Sequence, residues 1–202
     1  MKNICLNFSM NSIKKYYPDY SDTQLEEIRY GLEGIYLSMT KLIVISILCI
    51  ILNLFNEMLI MLITFNILRL TGFGIHAKRS IDCWISSTIM FVIFPYISKL
   101  LFIPLSLHII ISLILFILII LYAPSDTYKR PLINRKKRII YKVITSINTL
   151  ILLIISFFTT NTITNLILFG IFTEVILINP LTYKIFNLPY KNYKNYGLNS
   201  NV

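Results

Sequence analysis

Charge is scarce in this sequence. Asp, Glu, Lys and Arg make up 14% of its 202 residues, where a soluble domain carries about a quarter. The hydrophobic share is 56% and the mean hydropathy +0.72, which excludes a soluble globular domain and assigns the chain to a bilayer. Acid is scarcer than base: nine Asp and Glu stand against 19 Lys and Arg, a net charge of +10. Such a balance can signal a nucleic-acid partner, but the basic residues lie between apolar runs rather than on one soluble face. They read as membrane topology, and no nucleic acid is expected. Cysteine is limited to Cys5, Cys49 and Cys83, an odd number at wide, irregular spacing that supports neither a disulfide framework nor a zinc site. No metal and no cofactor is expected. The first 36 residues lack the continuous apolar core of a cleavable signal peptide, so insertion is expected to rest on the later segments. There is no internal repeat, only Ile and Leu richness of the kind lipid dictates.

What is there divides into three parts. Residues 1–36 form a cytosolic or interfacial arm, in which Ser21-Asp-Thr-Gln24 after Pro18 has the form of a capping box opening a helix. Leu25, Ile28, Leu32 and Ile35 then recur at helical spacing; such a helix lies on the membrane surface or packs beneath the bundle, and both placements stay open. Residues 37–180 form an all-α, polytopic membrane domain of about six helices, expected at 37–54, 58–70, 81–98, 100–122, 143–160 and 163–179. A helical crossing takes about 20 residues, so the second segment is short and can be a partial or tilted crossing. The links at 53–57, 95–104 and 159–162 are tight, and consecutive helices are expected to be antiparallel neighbours. Residues 181–202 form a tail. With both termini cytoplasmic, all of the 19 basic residues except Lys99 fall on the inner side, as the positive-inside rule demands.

One polar island interrupts the hydrocarbon. The loop 69–84 holds Gly72, Gly74, His76, Lys78, Arg79 and Cys83, and the charge pattern places it on the cytoplasmic side. A thiolate, not a thiol, is the nucleophile; His76 can take the proton, while Lys78, Arg79 and the N-terminus of a helix starting near Ser80 favour the anion. Residues seven apart on one unbroken helix are about 10.5 Å apart along its axis, too far for a hydrogen bond. The stretch from Gly72 to Ser80 is therefore expected not to be one straight helix running into Cys83, with the glycines freeing the turn and Phe73 and Ile75 anchoring it in the membrane surface. By spacing alone the alternative stands: an inert, packed cysteine and an interfacial histidine.

Other polar residues carry lesser expectations. Ser86 and Ser87 lie on the cysteine's side of the helix and can donate to an oxyanion or serve helix packing. Glu174, costly in hydrocarbon, is a functional candidate by default, with pairing to another helix or a water pocket as its expected role. Asp82 points away from Cys83; His108, Cys49 and Cys5 are expected to be structural. The run Arg135-Lys136-Lys137-Arg138 is a topology signal that can also grip an acidic peptide or anionic lipid.

Arg69, Gly74, His76 and Cys83 in this spacing, followed by Tyr122-Ala-Pro-Ser-Asp-Thr-Tyr-Lys-Arg-Pro131, a basic run, and preceded by Tyr30-Gly-Leu-Glu, resemble the AgrB family of quorum-sensing membrane endopeptidases of Gram-positive bacteria. The resemblance covers nearly the whole chain; Gly74 stands two before His76, with Ile75 between. It implies Cys83 and His76 as the catalytic pair, supporting roles for Arg69 and Gly74, and processing of a small AgrD-type propeptide into a cyclic autoinducing peptide at the bacterial cell membrane. The basic residues Lys78, Arg79, Lys129, Arg130, Arg135, Lys136, Lys137 and Arg138 are expected to attract the propeptide's acidic tail, with membrane lipid and a second copy of the chain as further partners. Two alternatives stand beside it: a non-enzymatic transporter or assembly protein, and a membrane S-acyltransferase.

Overall fold

The computed structural model describes residues 2–17, 20–75, 79–127 and 131–194. His76, Lys78, Lys129 and Arg130 lie outside the described residues. Two units are distinguished, Met1–Ile51 and Leu52–Val202.

In the first unit, α1 (Lys2–Tyr16) packs on α2 (Asp22–Ile51). The capping box is realised at the start of α2: the backbone N–H of Ser21 donates to Gln24 Oε1 at 2.9 Å and that of Gln24 to Ser21 Oγ at 3.3 Å. From there the helix runs unbroken through residues 36 and 37, so the polar arm and the first membrane segment are one element rather than two. Its 30 residues span about 45 Å, more than the roughly 30 Å of a hydrocarbon core, and the surplus corresponds to the charged first turns.

The second unit is wound around α8 (Asn161–Ile178), which packs against α3 (Phe55–Gly72), α5 (Phe94–Leu100), α6 (Leu105–Tyr122) and α7 (Arg135–Phe157). Gly170 permits the closest approach: a Cβ there would stand 2.5 Å from Thr64 Cγ2 of α3, which is how small residues let membrane helices touch. The outer helices are inside-out by the standard of a soluble protein. On α6 the buried positions include His108 and Ser112, while Ile110, Leu113, Ile117 and Leu121 are exposed. On α7 Thr145, Thr149 and Ser156 are buried and Ile147, Ile151 and Ile154 are exposed. Burial of the polar stripe and exposure of the apolar one is the pattern for a helix whose solvent is lipid. His108 is satisfied within the bundle, 2.9 Å from Ser156 Oγ and against the ring of Phe157, the structural role expected of it.

Among the described residues, five helical stretches are long and apolar enough to cross a membrane: Asp22–Ile51, Ile81–Leu100, Leu105–Tyr122, Arg135–Phe157 and Asn161–Ile178. The short second segment is the difference from the expected six. It is α3, whose 18 residues include Asn56, Glu57, Asn66 and Arg69; its two charges are paired inside the protein, Glu57 with Lys99 at 3.0 Å and Arg69 with Glu174 at 3.7 Å. The stretch Ile81–Leu100 is itself interrupted, because α4 (Ser80–Thr88) passes into a π-helical turn (Ile89–Ile93) before α5. Pro95 explains this: it has no N–H to give to the carbonyl four residues earlier, and a widened turn absorbs the loss.

The links sort to two ends. At one, Lys99 Nζ donates to Asn53 O at 2.8 Å, and Asn161 and Asn165 donate to Leu101 O at 2.6 and 2.7 Å. These bonds hold α5 to α3 and α8, so the 101–104 link does not close the antiparallel pair expected there. The other end joins residues 72–75, 125–126 and 177–183. Among the described residues from 52 onward, Lys99 is the only basic side chain at the first end.

Candidate active site

The α3–α4 break is built by the backbone. α3 stops at Gly72; Phe73 (φ 62) and Gly74 (φ 86) both take left-handed values, and the chain is extended again at Arg79 (φ −107, ψ 147) before α4 begins. No straight helix connects Gly72 to Cys83. The left-handed turn is caught from two sides. On one, Ser125 N–H donates to Gly72 O at 2.9 Å and Gly74 N–H to Ser125 O at 2.8 Å; on the other, Ile75 N–H donates to Leu177 O at 3.0 Å. Gly74 is required twice over, by its positive φ and because a Cβ would sit 2.7 Å from both Arg69 Nη1 and Leu177 O.

Arg69, in the last turn of α3, closes the turn from below. Its guanidinium donates to the carbonyl oxygens of Phe73, Gly74 and Ile75, and its counter-charge is Glu174 of α8, whose side chain is wholly buried. One cation thus gathers three carbonyls, the use to which Arg's planar fork is suited. Phe73 packs edge-on against Tyr141 at 5.1 Å and Ile75 is buried, so both residues anchor the turn in protein, not in the membrane surface. Thr145 Oγ1 donates to Thr71 Oγ1 at 2.7 Å, tying the same end of α3 to α7.

Cys83 lies in the first turn of α4, partly exposed, with its N–H on Arg79 O at 3.2 Å. It is at the helix's positive end, where negative charge is favoured. Arg79 and Asp82 are exposed. Ser86 is exposed and its hydroxyl donates to Cys83 O at 3.2 Å, while Ser87 is buried in the packing of the helix.

The Tyr122-Ala-Pro-Ser-Asp segment is the second wall. Its Ala123–Pro124 bond is cis. Asp126, buried, accepts from the backbone N–H groups of Asn192 at 2.9 Å, Tyr193 at 2.8 Å and Leu132 at 3.3 Å. Tyr183 of α9 (Pro180–Ile185) donates to Asp126 O at 2.9 Å and Ser125 O at 3.3 Å. Burial pushes its phenol up to about 12. Ser125 Oγ donates to Ile178 O at 3.1 Å. The sequence marked Glu174 as a functional candidate but did not assign Ser125, Asp126 and Tyr183 to the site; the Ala-Pro-Ser-Asp motif was the available signal for them.

The basic run divides. Asn134 caps α7, accepting from Lys136 N–H at 2.9 Å and Lys137 N–H at 3.3 Å. Arg135, Lys136 and Lys137 follow in the first turn and are exposed, a placement that the helix dipole disfavours and that stability does not explain. Arg138 is engaged internally, donating to Leu132 O at 2.7 Å and Ile133 O at 2.9 Å and lying 3.9 Å from the Tyr193 ring centroid. Arg135, Arg138, Lys142 and Lys191 line a cavity of about 330 Å³ beside Ser125; a second, also about 330 Å³, lies between Phe73, Tyr141 and Lys137.

The family model for AgrB, Accessory gene regulator B, matches residues 7–178. An AgrB-like protein of Clostridium acetobutylicum is 35% identical over 175 residues, covering 84% of this chain and 82% of that one. An AgrB-like protein of Listeria monocytogenes serotype 4a is 34% identical over 176 residues, 84% of each. Accessory gene regulator protein B of Staphylococcus carnosus is 36% identical over 146 residues, 72% of this chain and 75% of its own. No solved structure matches the chain. The span of the family model contains both helices of the break, and the chain belongs to the AgrB family, the accessory gene regulator B proteins of quorum sensing.

Proposed function

We propose that the chain is a membrane cysteine endopeptidase that removes the C-terminal tail of an AgrD-type propeptide and passes the remaining acyl group to a ring-closing nucleophile. The observation that carries this is the clamped left-handed turn at 73–75: it breaks the helix directly before His76 and leaves Cys83 partly exposed in the first turn of the next helix. A break there removes the axial separation of about 10.5 Å that a continuous helix would impose between the pair.

His76 takes the Cys83 proton, and the thiolate attacks a backbone carbonyl of the propeptide. The C–N bond breaks, the leaving amine receives the proton from His76, and the peptide is held as a thioester on Cys83. A thiol of the bound peptide then attacks the thioester and forms a thiolactone, returning the Cys83 thiol; a serine hydroxyl in its place yields a lactone. Exchange of one thioester for another is near balance, whereas thiolactone formation directly from a peptide bond is uphill. Water must be kept from the acyl intermediate, which favours a site at the membrane boundary with the substrate held against it. Arg69 and Gly74 support the turn. Lys78, Arg79, Lys129, Arg130 and the exposed Arg135, Lys136 and Lys137 attract the acidic tail on the cytoplasmic side, with Arg138 holding their loop.

Mass spectrometry of the purified protein mixed with a synthetic propeptide tests this. An acyl adduct on Cys83 is expected, absent in Cys83→Ala and in His76→Ala; complete processing by Cys83→Ala overturns the reading.

A further inference from the structure

Glu174 is wholly buried, and the chemistry described so far does not use it. Its side chain has no exposure, and both carboxylate oxygens lack a hydrogen-bond partner among the described residues. Arg69 Nη1 stands 3.7 Å from Oε2, an ion-pair distance longer than a hydrogen bond. A buried carboxylate carries a desolvation cost that a loose pair only partly offsets. A chain selected for stability alone would place an apolar side chain here, so the carboxylate needs a reason that is local to what Arg69 does.

That reason lies in what surrounds it. Gly72 is packed directly on Oε1, so closely that a Cβ at residue 72 would overlap the carboxylate. Leu177, three residues on along α8, gives its carbonyl to Ile75 N–H, so one face of α8 meets the turn at both its start and its end. Between these points Arg69 spends its donors on the carbonyls of residues 73, 74 and 75. A guanidinium surrounded by carbonyl dipoles but with no anion is an uncompensated buried charge; it would swing out to water and release the turn.

We infer that Glu174 is a positioning residue of the catalytic loop: by pairing with Arg69 it holds the 73–75 turn, and with it the chain position from which His76 reaches Cys83. It acts through Arg69 and touches neither the substrate nor the reacting atoms. The inference rests on the endopeptidase reading for the identity of the pair, but its core statement concerns the loop alone.

Two readouts separate them: steady-state processing of a synthetic propeptide, and the pH profile of Cys83 alkylation by iodoacetamide in a Cys5→Ser, Cys49→Ser background, which needs no peptidase activity. Glu174→Gln, inserted in the membrane at the wild-type level, is expected to lower kcat about tenfold or more with KM within about twofold, and to move the alkylation profile to that of His76→Ala. Glu174→Asp is expected to recover most of both. Gly72→Ala, which leaves the ion pair in the sequence but pushes the carboxylate aside, is expected to show the same kcat loss and serves where Glu174→Gln does not accumulate. Wild-type kcat in either variant, or lost processing with an unchanged alkylation profile, overturns the inference. Processing retained by Cys83→Ala would instead remove the endopeptidase reading, and the alkylation profiles would still decide the role of Glu174.

Discussion

At the scale of single residues, the site is set by which side chains are absent as much as by those present. Gly74→Ala combines a left-handed φ of 86 with a Cβ 2.7 Å from Arg69 Nη1 and from Leu177 O, and neither strain can relax without moving the turn. We expect it to cost about 1–3 kcal/mol locally and to abolish processing while the protein still inserts, measured by propeptide cleavage alongside membrane yield. Tyr183 bears on pH. Its phenol loses its proton near the ordinary 10 in the unfolded chain but near about 12 when folded, so the folded state holds the proton over that interval. Its contribution to stability is whole below pH 10 and falls as pH rises toward about 12. Thermal unfolding of Tyr183→Phe in detergent, compared with wild type between pH 7 and 12, should show a lower midpoint at neutral pH and a shallower alkaline decline; parallel curves count against the assignment.

At the scale of elements, the packing of α3 on α8 carries the site, because α3 brings Arg69 and α8 brings Glu174 and Leu177. Gly170→Ala puts a methyl 2.5 Å from Thr64 Cγ2 and 3.0 Å from Thr64 Cβ, at a position with no contact to the turn itself. Overpacking of this kind costs about 1–3 kcal/mol. The expected outcome is a lowered melting midpoint together with reduced processing, and unchanged processing would separate the helix pair from the loop. The helices themselves were largely legible in the sequence, since long apolar runs, the capping box at Ser21 and the glycines before His76 are local signals. What was not legible is long-range. Nothing near Gly72 announces that a carboxylate about a hundred residues later presses on it, nor does Phe73 reveal that it packs on Tyr141 instead of lipid. The unbroken α2 and the separation of α5 from α6 were missed for the same reason: hydropathy marks where polarity changes, whereas helix continuity and partner choice are settled by hydrogen bonds and tertiary contacts.

At the scale of the whole molecule, the charge asymmetry read from the sequence has a physical counterpart in the second unit. Lys99 stands at the end formed by Asn53, Leu101 and Asn161, and the other described basic residues from 52 onward collect at the end where α3 meets the Ser125 segment. Basic residues flanking membrane helices are retained on the cytoplasmic side, and each interacts with an anionic inner leaflet by about 1 kcal/mol, so the two ends should face opposite compartments. Lys99 is an exception with its own explanation, because its ammonium is occupied by Glu57 at 3.0 Å and by Asn53 O at 2.8 Å and adds little free charge to its end. Single cysteines in a background with Cys5, Cys49 and Cys83 replaced by serine make this measurable. At position 53 (Asn53→Cys), a membrane-impermeant maleimide applied to intact cells should react at once; at position 133 (Ile133→Cys), exposed beside the basic run, it should react only after permeabilisation. The opposite pattern would place the loop between α3 and α4 outside the cell, and on the proposed endopeptidase reading a propeptide would then have to cross the membrane before it is cut.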